Sequence, residues 1–227
     1  MVALFLACAA FVGTHFLLFH PLRAPMVARL GENGFRGVYS LLALVTLAWV
    51  AYAFHMAPKD APRWTVDDNL WIIATIIMWI ASVLFAGSFS RNPALPDPNA
   101  VRNLERPVSG VFAITRHPMM WSFALWGIAH ILVMPTGANL LLSVSIIVLA
   151  LGGAAGQDAK KARLMGESWQ SWTRRTSYVP FVLPITGRAQ WRAIIPSLVV
   201  LASGTLVWLG ATFAHGAIGA GIWRWIY

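Results

Sequence analysis

The side chains that could do chemistry inside this sequence are histidines, because its long apolar segments contain no Asp, Glu, Lys or Arg. An ionisable side chain within an apolar segment is a candidate functional residue. His20, His55 and His215 stand near the ends of such segments, where an imidazole reaches headgroups or water, and we prefer that ordinary role for them. His15 and His130 lie inside segments and are the candidate ligand residues.

His15 and His130 could together bind a b-type haem. Two neutral imidazoles from facing helices, with no thiolate or carboxylate set nearby, suit haem better than tetrahedral zinc, which needs more ligands. Gly127 lies one turn before His130, where the missing side chain leaves room for a flat group. By the helical rise, the two histidines differ in depth by roughly 10 Å, which the side chains and a tilted porphyrin would have to absorb. The alternative is that each imidazole bonds a carbonyl or hydroxyl of a neighbouring helix.

Arg116 and His117 form a second candidate site, because they directly precede Pro118, a residue that suits the first position of a helix. A cation and an imidazole there could bind an anion such as a haem propionate, a lipid phosphate or a cofactor carboxylate. Ordinary anchoring at lipid headgroups is the alternative.

The chain that carries these residues is too apolar for a soluble domain. Of its 227 residues, 58% are hydrophobic and only 11% are charged, whereas soluble domains carry roughly a quarter charged residues. The composition predicts an all-α, polytopic transmembrane bundle that forms a single membrane domain over residues 1–227. We predict six membrane spans, at about 2–19, 38–56, 70–88, 118–134, 139–155 and 195–214.

The basic residues predict the orientation. The formal net charge is +9, and all but three of the 17 Lys and Arg residues lie in the first, third and fifth loops. Because basic loops face the cytoplasm, we expect both termini to lie on the opposite side of the membrane. The charge lies beside apolar spans, so membrane lipids are the expected partners and nucleic acid is not. The first span lacks a preceding basic region, which favours an uncleaved anchor over a signal peptide.

Two stretches are expected to lie outside the spans. Residues 89–117 are predicted to be a loop that contains Pro and Arg. Residues 157–194 mix aromatic residues with seven cations. Within them, about 157–176 is predicted to be a helix in the membrane interface, with its cations at the phosphates and its aromatic side chains deeper.

Residues 110–120, which contain Arg116-His117-Pro118, and residues 125–130, which end at His130, resemble the signature of the NnrU family. Residues 13–15, 21–23, 29–33 and 90–93 are also similar to that family, so the resemblance runs from about residue 13 to residue 140. It implies a protein of the bacterial inner membrane, with both termini in the periplasm, that is associated with nitrite and nitric oxide reduction in denitrifying bacteria, with denitrification reductase components as partners.

The same family includes, or is closely related to, the plastid 15-cis-zeta-carotene isomerases. That relationship implies a haem b with histidine axial ligands that isomerises a polyene, a lipid-soluble small molecule. Carried over by position, the ligands are His15 and His130. Where the isomerases have a cysteine one turn before the second ligand, this chain has Gly127, so ligand exchange at the iron is not implied.

A weaker resemblance joins the C-terminal half to membrane methyltransferases that act on lipid or prenyl substrates with S-adenosylmethionine. It rests on Arg-His-Pro and on later residues, namely Asp158, Gly166, Trp169, Trp172 and Pro180-Phe181. In that alternative, Arg116 and His117 would hold the donor carboxylate and Asp158 its ribose. A third alternative is a non-catalytic partner that assembles a reductase.

Overall fold

A computed structural model of the chain describes residues 1–94 and 100–226, apart from the side chains of residues 100 and 101. Within these residues every regular element is a helix. The α-helices in chain order are α1 (Val2–Phe19), α2 (Arg23–His55), α3 (Asp68–Gly87), α4 (Ala100–Glu105), α5 (Val111–Ile114), α6 (Pro118–Val133), α7 (Gly137–Met165), α8 (Glu167–Arg175), α9 (Val182–Ile185) and α10 (Leu198–Ala214). Short 3₁₀ helices cover Trp191–Ile194, Gly216–Ile218 and Gly221–Trp225.

Each of the six predicted spans overlaps a helix, which confirms the expected all-α fold of a membrane bundle. Among the described residues, α1, α2, α3 and α7 are long and apolar enough to cross a membrane. Helices α6 and α10 are equally apolar but slightly shorter, with 16 and 17 residues. Several starts are capped as their sequences suggest. The Thr136 side chain accepts from the Asn139 amide at the start of α7, and Pro118 opens α6.

The six long helices are neighbours in the order α2, α1, α7, α6, α3 and α10. Helix α7 therefore lies between α1 and α6, the two helices that carry His15 and His130. Small residues allow close helix packing here, as is usual in membranes. An added Cβ on Gly204 of α10, for example, would lie 2.6 Å from the Val83 Cα of α3.

The loops divide between the two ends of the bundle. The loops with most of the cations share one end, which we call the basic end. There the Arg175 guanidinium donates to the Leu104 carbonyl, and Lys160 lies over the Phe19 ring. At the opposite end, Trp64 Nε1 donates to the Leu132 carbonyl at 3.1 Å. The predicted alternation of the loops is thus reproduced by contacts.

Two helices differ from the predicted spans, because a helix does not end where its apolar stretch ends. Helix α2 begins at Arg23 instead of about residue 38, and a non-helical Gly31 (φ 69°) divides it. Helix α7 continues past residue 155 to Met165. Its polar last turns still form backbone hydrogen bonds, while their long side chains reach solvent.

The segments that were predicted to lie outside the spans also differ in detail. The expected loop at 89–117 contains α4 and α5. The single interfacial helix expected at 157–176 is wrong, because Gly166 (φ 52°) separates the end of α7 from α8. The aromatic side chains of α8 do not face lipid. Trp169 and Trp172 are only 1% and 3% exposed and pack in a core with Phe112 and Leu104.

Candidate functional site

A buried ion pair joins the residues before α6 to the last turns of α7. The Arg116 Nε and Nη2 atoms lie 2.8 and 2.5 Å from Asp158 Oδ2. His117 Nε2 lies 2.9 Å from the other carboxylate oxygen, and its side chain is only 1% exposed. The His117 Nδ1 atom is buried without a hydrogen-bond partner among the described residues. One carboxylate thus binds both side chains that the sequence singled out at this position.

Tyr178 completes this ionic cluster of Arg116, His117, Asp158 and Tyr178. Its ring lies edge-on to His117, and the Arg116 Cζ atom is 5.5 Å from its centre. The Tyr178 hydroxyl donates to the Leu151 carbonyl at 2.6 Å. Burial, together with the Asp158 charge, raises the pKa of that hydroxyl. The tyrosine therefore stays a neutral donor that ties the chain after α8 to α7.

The ionic cluster changes how the predicted anion site is interpreted. Arg116 and His117 already bind an anion, and that anion is Asp158 of the same chain. A haem propionate or a cofactor carboxylate would have to replace this buried pair before it could bind there. In the methyltransferase alternative these three side chains bind S-adenosylmethionine. In the structure they bind one another instead.

A mostly apolar groove of about 450 Å³ lies between α1, α2, α6 and α7, toward the basic end. Its few polar atoms belong to two histidines, one tyrosine and one glutamine. The lining residues are Phe11, His15, Phe16, Phe19, His20, Tyr39, Leu47, Met120, Phe123, Ile146, Leu149, Ala150, Gly153 and Gln157.

His15 is held in this groove by its own helix and by two rings. Its Nδ1 atom lies 2.7 Å from the Phe11 carbonyl, one turn earlier. The Phe11 and Tyr39 rings both meet it edge-on, with centroids at 4.5 and 5.5 Å. If Nδ1 carries the proton, Nε2 has the lone pair, and no described residue bonds that atom. His15 is therefore able to act as a metal ligand or a hydrogen-bond acceptor within an apolar wall.

His130 has a similar local arrangement but lies outside the groove lining. Its Nδ1 atom is 2.8 Å from the Trp126 carbonyl, and its ring lies over Trp126 with the centroids 4.0 Å apart. A backbone carbonyl on the second ring nitrogen is common for metal ligands. The exposed His215 has the same bond to Ala211, at 2.7 Å, so the arrangement alone does not identify a ligand.

The packing against α7 places the two candidate ligands at different levels. Phe16, next to His15, lies against Gly152, whereas Gly127, near His130, lies against Ser143 and Ile147. At 1.5 Å per residue along α7, Phe16 and Gly127 differ in level by roughly 10 Å. His130 lies one turn beyond Gly127, further from the basic end, where its carbonyl accepts from Asn139 Nδ2. A difference in depth between the two histidines, as expected from the sequence, therefore persists.

Gly127 has a packing role in this structure. An added Cβ would lie 2.8 Å from Ile147 Cγ1 and 2.9 Å from the Ser143 carbonyl. The space that the glycine leaves is thus filled by α7, and the missing side chain lets α6 and α7 approach closely. The sequence could not distinguish this role from room for a cofactor.

Sequence reasoning missed most of the groove and the pairing of Asp158 with Arg116. The groove depends on which faces of four helices meet, and hydropathy is uniform around these helices. Tyr39 carried a weak signal, as a polar aromatic residue near the start of an apolar span. Within the described residues, no group of three or more His, Cys, Asp or Glu side chains could hold a metal ion.

Comparison with known proteins matches the model of the "NnrU protein" family to residues 3–221. The chain is similar to the chloroplastic 15-cis-zeta-carotene isomerases of Arabidopsis thaliana and Zea mays, with 26% identity over 199 and 198 residues. These alignments cover 82% of this chain and 52% of each relative, so the chain spans about half the length of the curated relatives it matches. No solved structure matches it.

Proposed function

The chain belongs to the NnrU family, and from that premise we propose that it is a membrane isomerase that converts a cis double bond of a lipid-soluble polyene to trans. The observation that carries the proposal is the apolar groove, with His15 and Tyr39 in its wall, in a chain similar to two named polyene isomerases.

The shape of the groove supports a long apolar ligand. Along α7 it extends from Ile146 to Gln157, which at 1.5 Å per residue is roughly 16 Å. That length accommodates a segment of several conjugated bonds. Because lipid is already apolar, binding would depend on shape and on ring contacts more than on transfer from water. Phe11, Phe16 and Phe123 supply such aromatic contacts.

The groove supports one half of the proposed cofactor site, the half that contains His15. A haem needs an axial ligand with a free lone pair in an apolar site that excludes water, and His15 offers Nε2 in such a wall. We therefore keep haem b as the proposed cofactor, with His15 as the residue that would hold it. When bound, it would supply an iron centre able to polarise or exchange an electron with a polyene.

The role of His130 stays a prediction. For the pair to share one iron, the two side chains and a tilted porphyrin would have to span the difference in level between the histidines along α7. Without a haem, His130 would have a structural role. Its Nδ1 atom bonds the Trp126 carbonyl within α6, and its own carbonyl accepts from Asn139 Nδ2 of α7 at 2.9 Å.

The isomerase proposal is tested by incubating the purified chain in lipid nanodiscs with 15-cis-zeta-carotene and separating the isomers by chromatography, with and without added haem. Gly153→Leu is the sharpest variant, because Gly153 lines the groove and an added Cβ meets no atom within 4 Å. We expect the leucine to fill the groove and to abolish conversion.

Gly210→Leu is the matched control, since Gly210 of α10 is also unobstructed and lies outside the groove lining. It should convert the substrate at the unaltered rate. Equal activity of both variants would remove the groove from the proposal, and no conversion by the unaltered chain in either condition would refute the activity.

The cofactor has its own test, an absorption spectrum of the haem-supplemented protein before and after reduction. We expect a Soret band that is lost in His15→Ala and kept in His215→Ala, whose histidine has the same backbone bond outside the groove. Loss of the band in His130→Ala as well would support paired ligation, and its retention would assign His15 alone. A colourless protein would overturn the cofactor but not the groove.

The remaining expectations are separate from this chemistry. A link to nitrite and nitric oxide reduction, an assembly role beside a reductase, and placement in a bacterial inner membrane all stay predictions of the sequence. None of the contacts among the described residues favours one of them. The methyltransferase alternative is the least supported, because Asp158, Arg116 and His117 bind one another.

A further inference from the structure

We propose that a second cavity, at the basic end, binds the phosphate group of an anionic phospholipid. The cavity has a volume of about 550 Å³ and lies between the end of α3, the residues before α5, and the start of α10. Its rim is polar and includes Arg91 and Arg106, whereas its floor is apolar and includes Val111, Phe112 and Val200. It shares no lining residue with the groove that contains His15.

No residue that the structure describes supplies a counter-charge to the two rim arginines. Several other cations of the basic end are engaged, as Arg116 is by Asp158 and Arg175 is by the Leu104 carbonyl. Neither the Arg91 nor the Arg106 side chain has an ion pair or hydrogen bond within the described part of the chain. Two guanidinium groups at one cavity therefore favour an anion with several oxygens, and phosphate suits their geometry.

A buried donor points to the same ligand. Trp172 lines the cavity and is only 3% exposed, yet its Nε1 atom has no acceptor among the described residues. An indole N–H can only donate, and leaving a buried donor without an acceptor is destabilising. A phosphate oxygen in the cavity would satisfy it. The rim serines Ser90 and Ser109 add hydroxyl groups that could do the same for further oxygens.

The backbone at Arg91 is also unusual. Its φ of 56° lies in the left-handed region, which non-glycine residues rarely adopt and which often occurs at functional sites. The next residue fixes this turn, because Asn92 Nδ2 donates to the Ser88 carbonyl and Asn92 Oδ1 accepts from the Ala94 amide. The surrounding turn thus holds Arg91 at the cavity rim in a backbone conformation that is unfavourable for arginine.

The surroundings favour a lipid over a soluble phosphate. Beside the cavity, Ile195, Leu198 and Val199 are 64%, 81% and 77% exposed. Ile195 lines the cavity, and these exposed apolar side chains at the start of α10 offer a surface for acyl chains next to it. A ligand with a phosphate at one end and hydrocarbon at the other would use both surfaces, and a free phosphate would use only the rim.

The test is native mass spectrometry of the full chain in detergent, titrated with phosphatidylglycerol and with phosphatidylcholine of the same acyl chains. We expect a clear preference for phosphatidylglycerol. Each cation near a headgroup contributes about 1 kcal/mol, which is a factor of about five in affinity. The double variant Arg91→Gly with Arg106→Gln should therefore bind phosphatidylglycerol about twentyfold more weakly. Glycine suits the backbone of residue 91, so this variant should fold. Trp172→Phe, which keeps a ring without the N–H, should weaken binding about fivefold.

Arg29→Gln with Arg163→Gln is the control, because both arginines are exposed, belong to the basic end and lie outside the cavity lining. This pair removes the same charge and should change affinity less than twofold. An equal loss in the control would assign binding to general surface charge and overturn the site. Equal binding of phosphatidylcholine, or full displacement by millimolar inorganic phosphate, would overturn the anionic lipid as ligand.

Discussion

Asp158 is the one acidic residue of α7, and it neutralises Arg116 where both side chains are largely shielded from solvent. Asp158→Asn would keep the shape but leave the guanidinium without a counter-charge. Breaking such a buried pair from one side costs about 3 kcal/mol. We therefore expect Asp158→Asn to lower the melting temperature of the detergent-purified protein by several degrees.

Asp68→Asn is the matched comparison for that variant. Asp68 pairs with Arg224 at 3.0 Å and also joins distant parts of the chain, but its side chain is 67% exposed. Exposed pairs contribute about 0–1 kcal/mol, so this variant should melt close to the unaltered protein. Equal melting of the two variants would show that the ionic cluster does not stabilise the bundle.

The sequence identified single residues better than their partners. Its composition marks His15, Arg116 and His117 as unusual, because each is polar in or beside an apolar stretch. It does not show that Asp158 reaches Arg116 across 42 positions. That pairing depends on the length of α7 beyond its apolar part and on the approach of α6. Both are properties of the packed bundle.

At the scale of elements, Gly166 sets the direction of α8. Its φ of 52° and ψ of −125° are poorly accessible to residues with a side chain, although an added Cβ would meet no atom. Gly166→Ala should therefore cost about 1–2 kcal/mol through backbone strain alone. Because Trp169 and Trp172 of α8 are buried, we expect denaturant unfolding followed by tryptophan fluorescence to shift to lower concentration.

The control for that shift is Gly153→Ala. Gly153 is equally unobstructed but lies in the helical interior of α7. Alanine there should leave stability unchanged or raise it by up to about 1 kcal/mol, because glycine is a poor helix former. A stable Gly166→Ala protein would mean that the end of α7 can straighten into α8, as the single predicted helix over 157–176 supposed.

The six helices themselves were predictable because each apolar stretch is long and free of charge. Their ends were not, because backbone hydrogen bonding continues through residues such as Lys160 and Lys161 at the basic end of α7. The position of α8 could not be predicted from the sequence either. Its two tryptophans and two arginines favour an interfacial helix, but the tryptophans pack in a protein core that includes residues of α4 and α5.

At the scale of the whole molecule, the order of the helices creates the groove. Helix α7 packs on both α1 and α6, and the space across its surface is walled by these two helices and by α2. No single helix predicts such a space, because it depends on which faces of the four helices meet. The separation of cations between the two ends, in contrast, was visible in the sequence and is reproduced in the contacts of the bundle.

The same charge separation predicts the orientation of the bundle, with the basic end in the cytoplasm. Cys8 is the only cysteine, so Cys8→Ala gives a background without thiols. Single cysteines then replace Lys59, at the opposite end, or the exposed Arg163, at the basic end. A maleimide that cannot cross membranes should label the cysteine at position 59 in intact cells. The cysteine at position 163 should react only after lysis, and the reverse pattern would show that the bundle is inserted with its basic end outward.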